Sequence, residues 1–203
     1  QLDEVNPEQI DKVFDAFEDL GVDLLQEDFD EPDLEDLEEV EEPVEDGNTF
    51  LANAYIKVMY YYDKFKLPTI SDDTGLLVEA LNNAPGVLSA RYGSVNGEHT
   101  DPKKNLERII REMVNETNRA CKFVTAMYFY DGTNLISSIG ELVGKIVKEP
   151  RGTKSFGYSS IFEIPEYKMT LAEIDDELRY EINHRGKAAR LLIGQLKDYI
   201  IKK

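Results

Sequence analysis

Two adjacent acids are the first residues in this chain whose type and spacing could do chemistry. Thr69 to Asp72 has the character of a short strand, and it runs into Asp72-Asp73-Thr74-Gly75. Two carboxylates where a strand gives way to a glycine turn can hold a hard cation at a sheet's edge, because such ions prefer oxygen ligands. An ordinary acidic turn has the same four residues, so the pair alone does not separate the two readings. A second group lies near the C-terminus, where His184 and Arg185 open a helical segment behind Asn183 as cap. The helix dipole biases a first-turn histidine toward its neutral form. Neutral imidazole can hydrogen-bond or stack, and a guanidinium can donate to a carbonyl. A capping histidine with no further role fits the same spacing. The other histidine, His99, sits in a polar turn and reads as exposed.

The elements that must position these groups follow from caps and periodicity. Asn6, Pro7 and Glu8 start a helix whose apolar residues run from Ile10 to Leu20, and Val22 to Leu25 reads as a short strand. Residues 27–46 are dense in acids, with Pro32 and Pro43 among them, and read as a solvated loop. Thr49 to Phe65 reads as a helix, Leu76 to Leu81 as an apolar run and Asn82 to Gly86 as a turn. Pro102 opens another helix that extends to Met113. Lys122 to Tyr130 and Leu135 to Val147 are β-branched and aromatic, joined around Asp131-Gly132 as a strand pair. Phe162 to Ile164 and Thr170 to Ala172 are short elements, and Leu191, Leu192, Leu196 and Ile200 suggest one stripe of a C-terminal helix. Helices alternating with strands give the α/β class.

Composition narrows the function classes. The formal net charge of -18 opposes general affinity for nucleic-acid phosphates or anionic membranes, leaving room for a small phosphorylated substrate where basic groups cluster. No run approaches the length of a membrane helix, and no signal peptide opens the chain. The single cysteine, Cys121, rules out an intramolecular disulfide and reads as a buried core residue. These features suit a reducing cytoplasm. The chain begins at Gln1, which suggests a processed or truncated start.

Four segments, read together, resemble the inosine triphosphate pyrophosphatases, house-cleaning enzymes for aberrant purine nucleoside triphosphates. TISDDTGLLVEALNNAPGVLSARY (Thr69 to Tyr92) is similar to that family's Asp-Asp-Ser/Thr-Gly-Leu, Ala-Leu-Gly-Gly-Ala-Pro-Gly and Ser-Ala-Arg-Tyr. EDGNTFLANAYIK (Glu45 to Lys57) resembles Glu-Thr-Gly-x-Thr-Phe-x-Glu-Asn-Ala-x-x-Lys. KEPRGTKSFGYSSIF (Lys148 to Phe162) resembles a loop ending Phe-Gly-Tyr-Asp-Pro-x-Phe, and NHRGKA (Asn183 to Ala188) resembles Ser-His-Arg-Gly-x-Ala. The resemblance implies an elongated mixed β-sheet flanked by helices, with two lobes around a nucleotide cleft. It also implies a homodimer, and one domain over residues 1–203. The activity it implies is cleavage of ITP, dITP or XTP to the monophosphate and pyrophosphate.

Carried over by position, the resemblance makes Glu45 and Asp73 ligands of Mg²⁺, or of Mn²⁺ in its place. Asp73 would also orient or deprotonate the attacking water, with Asp72 as a neighbouring ligand or supporting acid. Lys57 would join Asp73 in the catalytic set by reaching a phosphate, and Arg91 would offer a fork to phosphate oxygens. Asn6, Thr74, Phe156, Gly157, Tyr158, Ser159, Arg179, His184 and Arg185 would bind substrate. Arg185 would face the purine 6-oxo group, which penalises a 6-amino base by opposing two donors. Plainer readings remain open: Glu45 as one more loop acid, Lys57 on a solvated helix face, Arg91 in a surface ion pair and Phe156 as core. The chain departs from the family pattern at several positions. Glu4 and Gln9 replace a hydroxyl and a lysine around Asn6, Ser159 replaces an aspartate, Arg179 replaces a lysine and Ala52 replaces a glutamate. They leave open an altered base specificity, or a catalytically impaired homologue that binds nucleotide or a protein partner.

Overall fold

The computed structural model describes residues 41–94 and 101–201, with side chains to 197. The expected helix after Asn6, the strand at Val22 to Leu25, most of the acidic segment, His99 and the positions Glu4, Asn6 and Gln9 lie outside the described residues. The chain divides into Gln1–Glu42 and Pro43–Lys203, and every element below belongs to the second unit.

Helix α1, Phe50–Phe65, starts where Thr49 accepts a hydrogen bond from the Ala52 amide at 3.1 Å and ends at Lys66 in the left-handed region. Phe50, Ala54 and Val58 form its buried stripe. Strand β1 spans Thr69–Val78, and a two-residue strand β2, Ala84–Pro85, folds back on its end. Helix α2, Pro102–Glu112, is capped by Asp101 as its proline start suggests. Strands β3, Ala120–Tyr130, and β4, Leu135–Ile146, form a long hairpin around Gly132, whose φ of 92° only glycine adopts freely. Strands β5, Phe162–Ile164, and β6, Met169–Thr170, precede helices α3, Asp176–Ile182, and α4, His184–Ile201.

The sheet order is β2-β1-β3-β4-β5-β6. The α/β class holds, and among the described residues every pairing is antiparallel.

One expectation is overturned at the acidic pair. Asp72-Asp73-Thr74-Gly75 is not a turn: it continues β1, with Asp72 opposite Met127, Asp73 opposite Ala126 and Gly75 opposite Val124. The β3 ladder satisfies these backbone groups, and that outweighs the local turn preference. Gly75 serves close packing instead. A Cβ there would stand 2.5 Å from the Gly86 carbonyl and from Ser89 Oγ, and 2.7 Å from the Phe50 ring.

Strand alternation then sorts side chains onto two faces. Val124 and Ala126 of β3 pack with Phe50 of α1. Met127 packs with Ala188 and Leu192 of α4 on the opposite face. That second face continues into the main core of Leu76, Phe123, Leu142, Ile146 and Phe162, where Cys121 is also buried. Burial pushes the Cys121 thiol pKa well up, which leaves it inert. The stripe expected on α4 needs one correction: Leu192 is 2% exposed but Leu191 is 53% exposed. Successive helical residues differ by a third of a turn, and Ala188 fills the sheet-facing place one turn earlier.

Candidate active site

Three side chains from separate elements meet on the α1 face of β1. Lys57 of α1 places its ammonium 3.1 Å from Glu45 Oε1 and 3.7 Å from Asp73 Oδ1. Asp73 is the most enclosed of the three, with 12% of its side chain exposed. Its other oxygen, Oδ2, accepts from Asn53 Nδ2 at 3.0 Å. Burial raises the Asp73 pKa above 3.8, and the charge of Glu45 adds to the rise, while Lys57 and the Asn53 hydrogen bond oppose it. Two acids around one lysine leave the cluster net negative. An ordinary exposed ion pair contributes about 0–1 kcal/mol, and burying a second acid beside it works against folding, so stability does not account for the arrangement. Arg91 closes the group by donating from Nη2 to the Glu45 carbonyl at 3.4 Å.

Asp72, one residue away, faces α4. Its Oδ2 accepts from Arg185 Nη2 at 3.0 Å, from Arg185 Nε at 3.3 Å and from Thr74 Oγ1 at 3.1 Å. Asn183 caps α4 by accepting from the Gly186 amide. The first turn of α4 lies against the β4 backbone, since a Cβ on Gly140 would stand 2.1 Å from the His184 carbonyl. The His184 ring stacks on Phe123, with centroids 4.8 Å apart and planes 12° apart. Burial and the neighbouring Arg185 hold its pKa down at about 3, so the imidazole is neutral, and among the described residues its buried Nδ1 has no partner.

Phe156, Gly157, Tyr158 and Ser159 lie on the loop before β5. Phe156 is 71% exposed, which removes the core reading. Gly157 has φ 58°, a conformation glycine adopts at little cost. Tyr158 packs against the main core and donates from its hydroxyl to the Ser89 carbonyl at 3.0 Å, and burial pushes its pKa up. The Ser159 amide donates to the Phe156 carbonyl at 3.3 Å, which tightens the turn. Arg179 Nη1 donates to the Lys154 carbonyl at 3.0 Å and Nη2 to Asp176, so this guanidinium ties α3 to the loop.

The sequence model described as the Ham1 family matches residues 8–195. The chain belongs to the Ham1 family. It is 40% identical over 167 residues to the dITP/XTP pyrophosphatase of Aquifex aeolicus, covering 79% of this chain and 83% of that one. The solved Staphylococcus aureus Ham1 protein superposes with a TM-score of 0.75 at 31% identity, covering 81% of this chain and 84% of that one. A Mycobacterium abscessus structure described as a nucleoside-triphosphatase / dITP/XTP pyrophosphatase has a TM-score of 0.73 at 31% identity, covering 95% and 96%.

For a Ham1 chain the fit of a divalent ion can be tested on the donor set. Glu45 and Asp73 are hard oxygen donors already gathered around a cation, the Lys57 ammonium. Among the described residues no group of three or more His, Cys, Asp or Glu side chains forms a metal site. Mg²⁺ keeps several waters and shares substrate phosphates, so two carboxylates suffice and the residues fit. Asp72 is not part of this pair, because its carboxylate is held on the opposite face by Arg185.

Sequence reading missed Asn53, fully buried and bonded to Asp73. The signal was available, since Asn53 and Lys57 are four residues apart on a helix and share one face. Thr125 was also missed. It is fully buried, and its hydroxyl meets that of Thr74 at 2.7 Å.

Proposed function

We propose that this chain hydrolyses non-standard purine nucleoside triphosphates (ITP, dITP and XTP) to the monophosphate and pyrophosphate. The convergence of Glu45 and Asp73 on Lys57 carries the proposal, and the dITP/XTP pyrophosphatase named among its relatives points the same way. Glu45 and Asp73 would hold Mg²⁺, with Mn²⁺ able to replace it. When bound, the ion lowers the pKa of a coordinated water and offsets charge on the phosphoryl oxygens. Asp73 orients the attacking water and accepts its proton, with its second oxygen fixed by the Asn53 hydrogen bond. Water adds at the α-phosphorus, the bond to the bridging oxygen breaks, and pyrophosphate leaves with that oxygen. Lys57 and Arg91 donate to phosphate oxygens. His184 and Arg185 read the base, the loop of Phe156 to Ser159 covers it, and Arg179 and Thr74 complete the substrate set.

The same reading makes the chain one domain over residues 1–203, cytoplasmic and homodimeric, with a nucleotide as ligand and neither nucleic acid nor membrane as partner. No described helix is long and apolar enough to cross a membrane. Light scattering tests the dimer.

Pyrophosphate release from a panel of triphosphates, with Mg²⁺ and with chelator, tests the activity. Turnover of ITP, dITP or XTP well above ATP and GTP supports it. Turnover favouring another base would point to a changed specificity at Ser159. Binding without turnover would sink the hydrolytic reading.

A further inference from the structure

Thr74 Oγ1, Asp72 and Arg185 form a closed set of contacts that metal binding does not explain. Arg185 Nη2 reaches Thr74 Oγ1 at 3.4 Å as well as Asp72, and Thr74 is tied in turn to the buried Thr125 hydroxyl. Every contact that Arg185 makes in this set uses the Nε and Nη2 edge of its guanidinium. Among the described residues Nη1 has no partner, and 58% of the Arg185 side chain is exposed. An ion pair this open contributes little to folding. What it does supply is orientation: a long, rotatable side chain is held by one edge with the other edge displayed.

We propose that Asp72 is a positioning residue for base selection, gripping Arg185 so that its Nη1 edge faces the 6-oxo group of the purine. The proposal rests on the reading of the chain as a 6-oxo purine nucleotide hydrolase. It assigns Asp72 to the base rather than to the metal. The sheet geometry requires that separation, because consecutive strand residues face opposite ways.

The test is calorimetric binding of IMP and AMP in the presence of chelator, alongside the ITP-to-ATP ratio of kcat/KM and the Mg²⁺ concentration for half-maximal rate. Asp72→Asn is expected to weaken IMP binding by about tenfold, the order expected for loss of a charged double contact, and to leave AMP binding where it was. The ITP-to-ATP ratio should fall by a similar factor, with half-saturation by Mg²⁺ unmoved. Asp72→Glu should recover part of the loss, and Asp72→Asn should add nothing in an Arg185→Ala background. Thermal melting checks that each variant is folded, and if Asp72→Asn melts early, Asp72→Glu supplies the same comparison. The proposal is overturned if Asp72→Asn raises the Mg²⁺ requirement and keeps its preference for IMP. If the wild-type chain itself binds IMP and AMP alike and releases no pyrophosphate from ITP, the functional reading falls first and takes this assignment with it.

Discussion

Asp73 and Asp72 are neighbours in sequence, yet they live in opposite environments across one sheet. On the α1 face, Asp73 is 12% exposed, bonded to a fully buried asparagine and paired with Lys57, which also holds Glu45. On the α4 face, Asp72 is 34% exposed and its partner Arg185 is 58% exposed. Burial on the first side raises the carboxylate's pKa and fixes its orientation through Asn53. Exposure on the second leaves a cation on display, suited to reading a ligand. The contrast shows that two identical side chains acquire different chemistry from which helix covers them.

The comparison is broken most completely by Asp73→Asn. Loss of a positioned base typically costs about 10²–10⁴ in rate, so pyrophosphate release should fall by about 10³-fold while the preference for IMP over AMP stays. Lys57→Met acts on the same face and should lower kcat/KM by about 10²-fold, since a charged hydrogen bond to phosphate is lost. Steady-state kinetics reads both.

The opposite face is addressed by Gly140→Ala. Its Cβ would meet the His184 carbonyl at 2.1 Å and the Ala188 amide at 2.4 Å, both backbone atoms that cannot swing aside. Helix α4 must shift, at a cost of about 1–3 kcal/mol in urea unfolding. Base preference should fall, with Mg²⁺ dependence retained.

His184 sharpens the contrast through pH. Its folded pKa of about 3 lies below the usual 6.5, so the unfolded chain takes up a proton that the native chain refuses. The stability it contributes is therefore complete above about pH 6.5 and is lost as pH falls from there toward 3. Urea midpoints at pH 5 and 7.5 should differ more for the wild type than for His184→Gln. The smallest effect belongs to Ser71, which donates to the Ala54 carbonyl on the α1 face at 2.6 Å. Ser71→Ala should cost about 1 kcal/mol by the same unfolding measurement, with base preference intact.

Much of the fold was legible because it rests on local chemistry. Thr49 and Asp101 mark their helix starts by side-chain capping, and Asp131-Gly132 marks the hairpin. The acidic pair was misread as a turn because its strand character comes from β3, far along the chain, and from the tight fit at Gly75. The stripe on α4 included one residue too many, since apolar type does not tell Leu191 from Leu192 when only one can face the sheet. At the site, the four motifs named the participating residues but not their partners. Asn53 was overlooked although its spacing from Lys57 puts both on one helix face, because its partner Asp73 is brought against it only by packing.

The sequence alone determined the elements, the acidic balance and the family, because caps, periodicity and ordered motifs are properties of residues close together along the chain. It also named Glu45, Lys57 and Asp73 before any contact was known. Only the tertiary structure decided that Lys57 stands between the two acids, and that Asp72 turns away to hold Arg185. Those outcomes depend on which helix packs on which face of β1. Packing of that kind is settled by contacts between distant residues, where burial and shape, not local preference, set the energy.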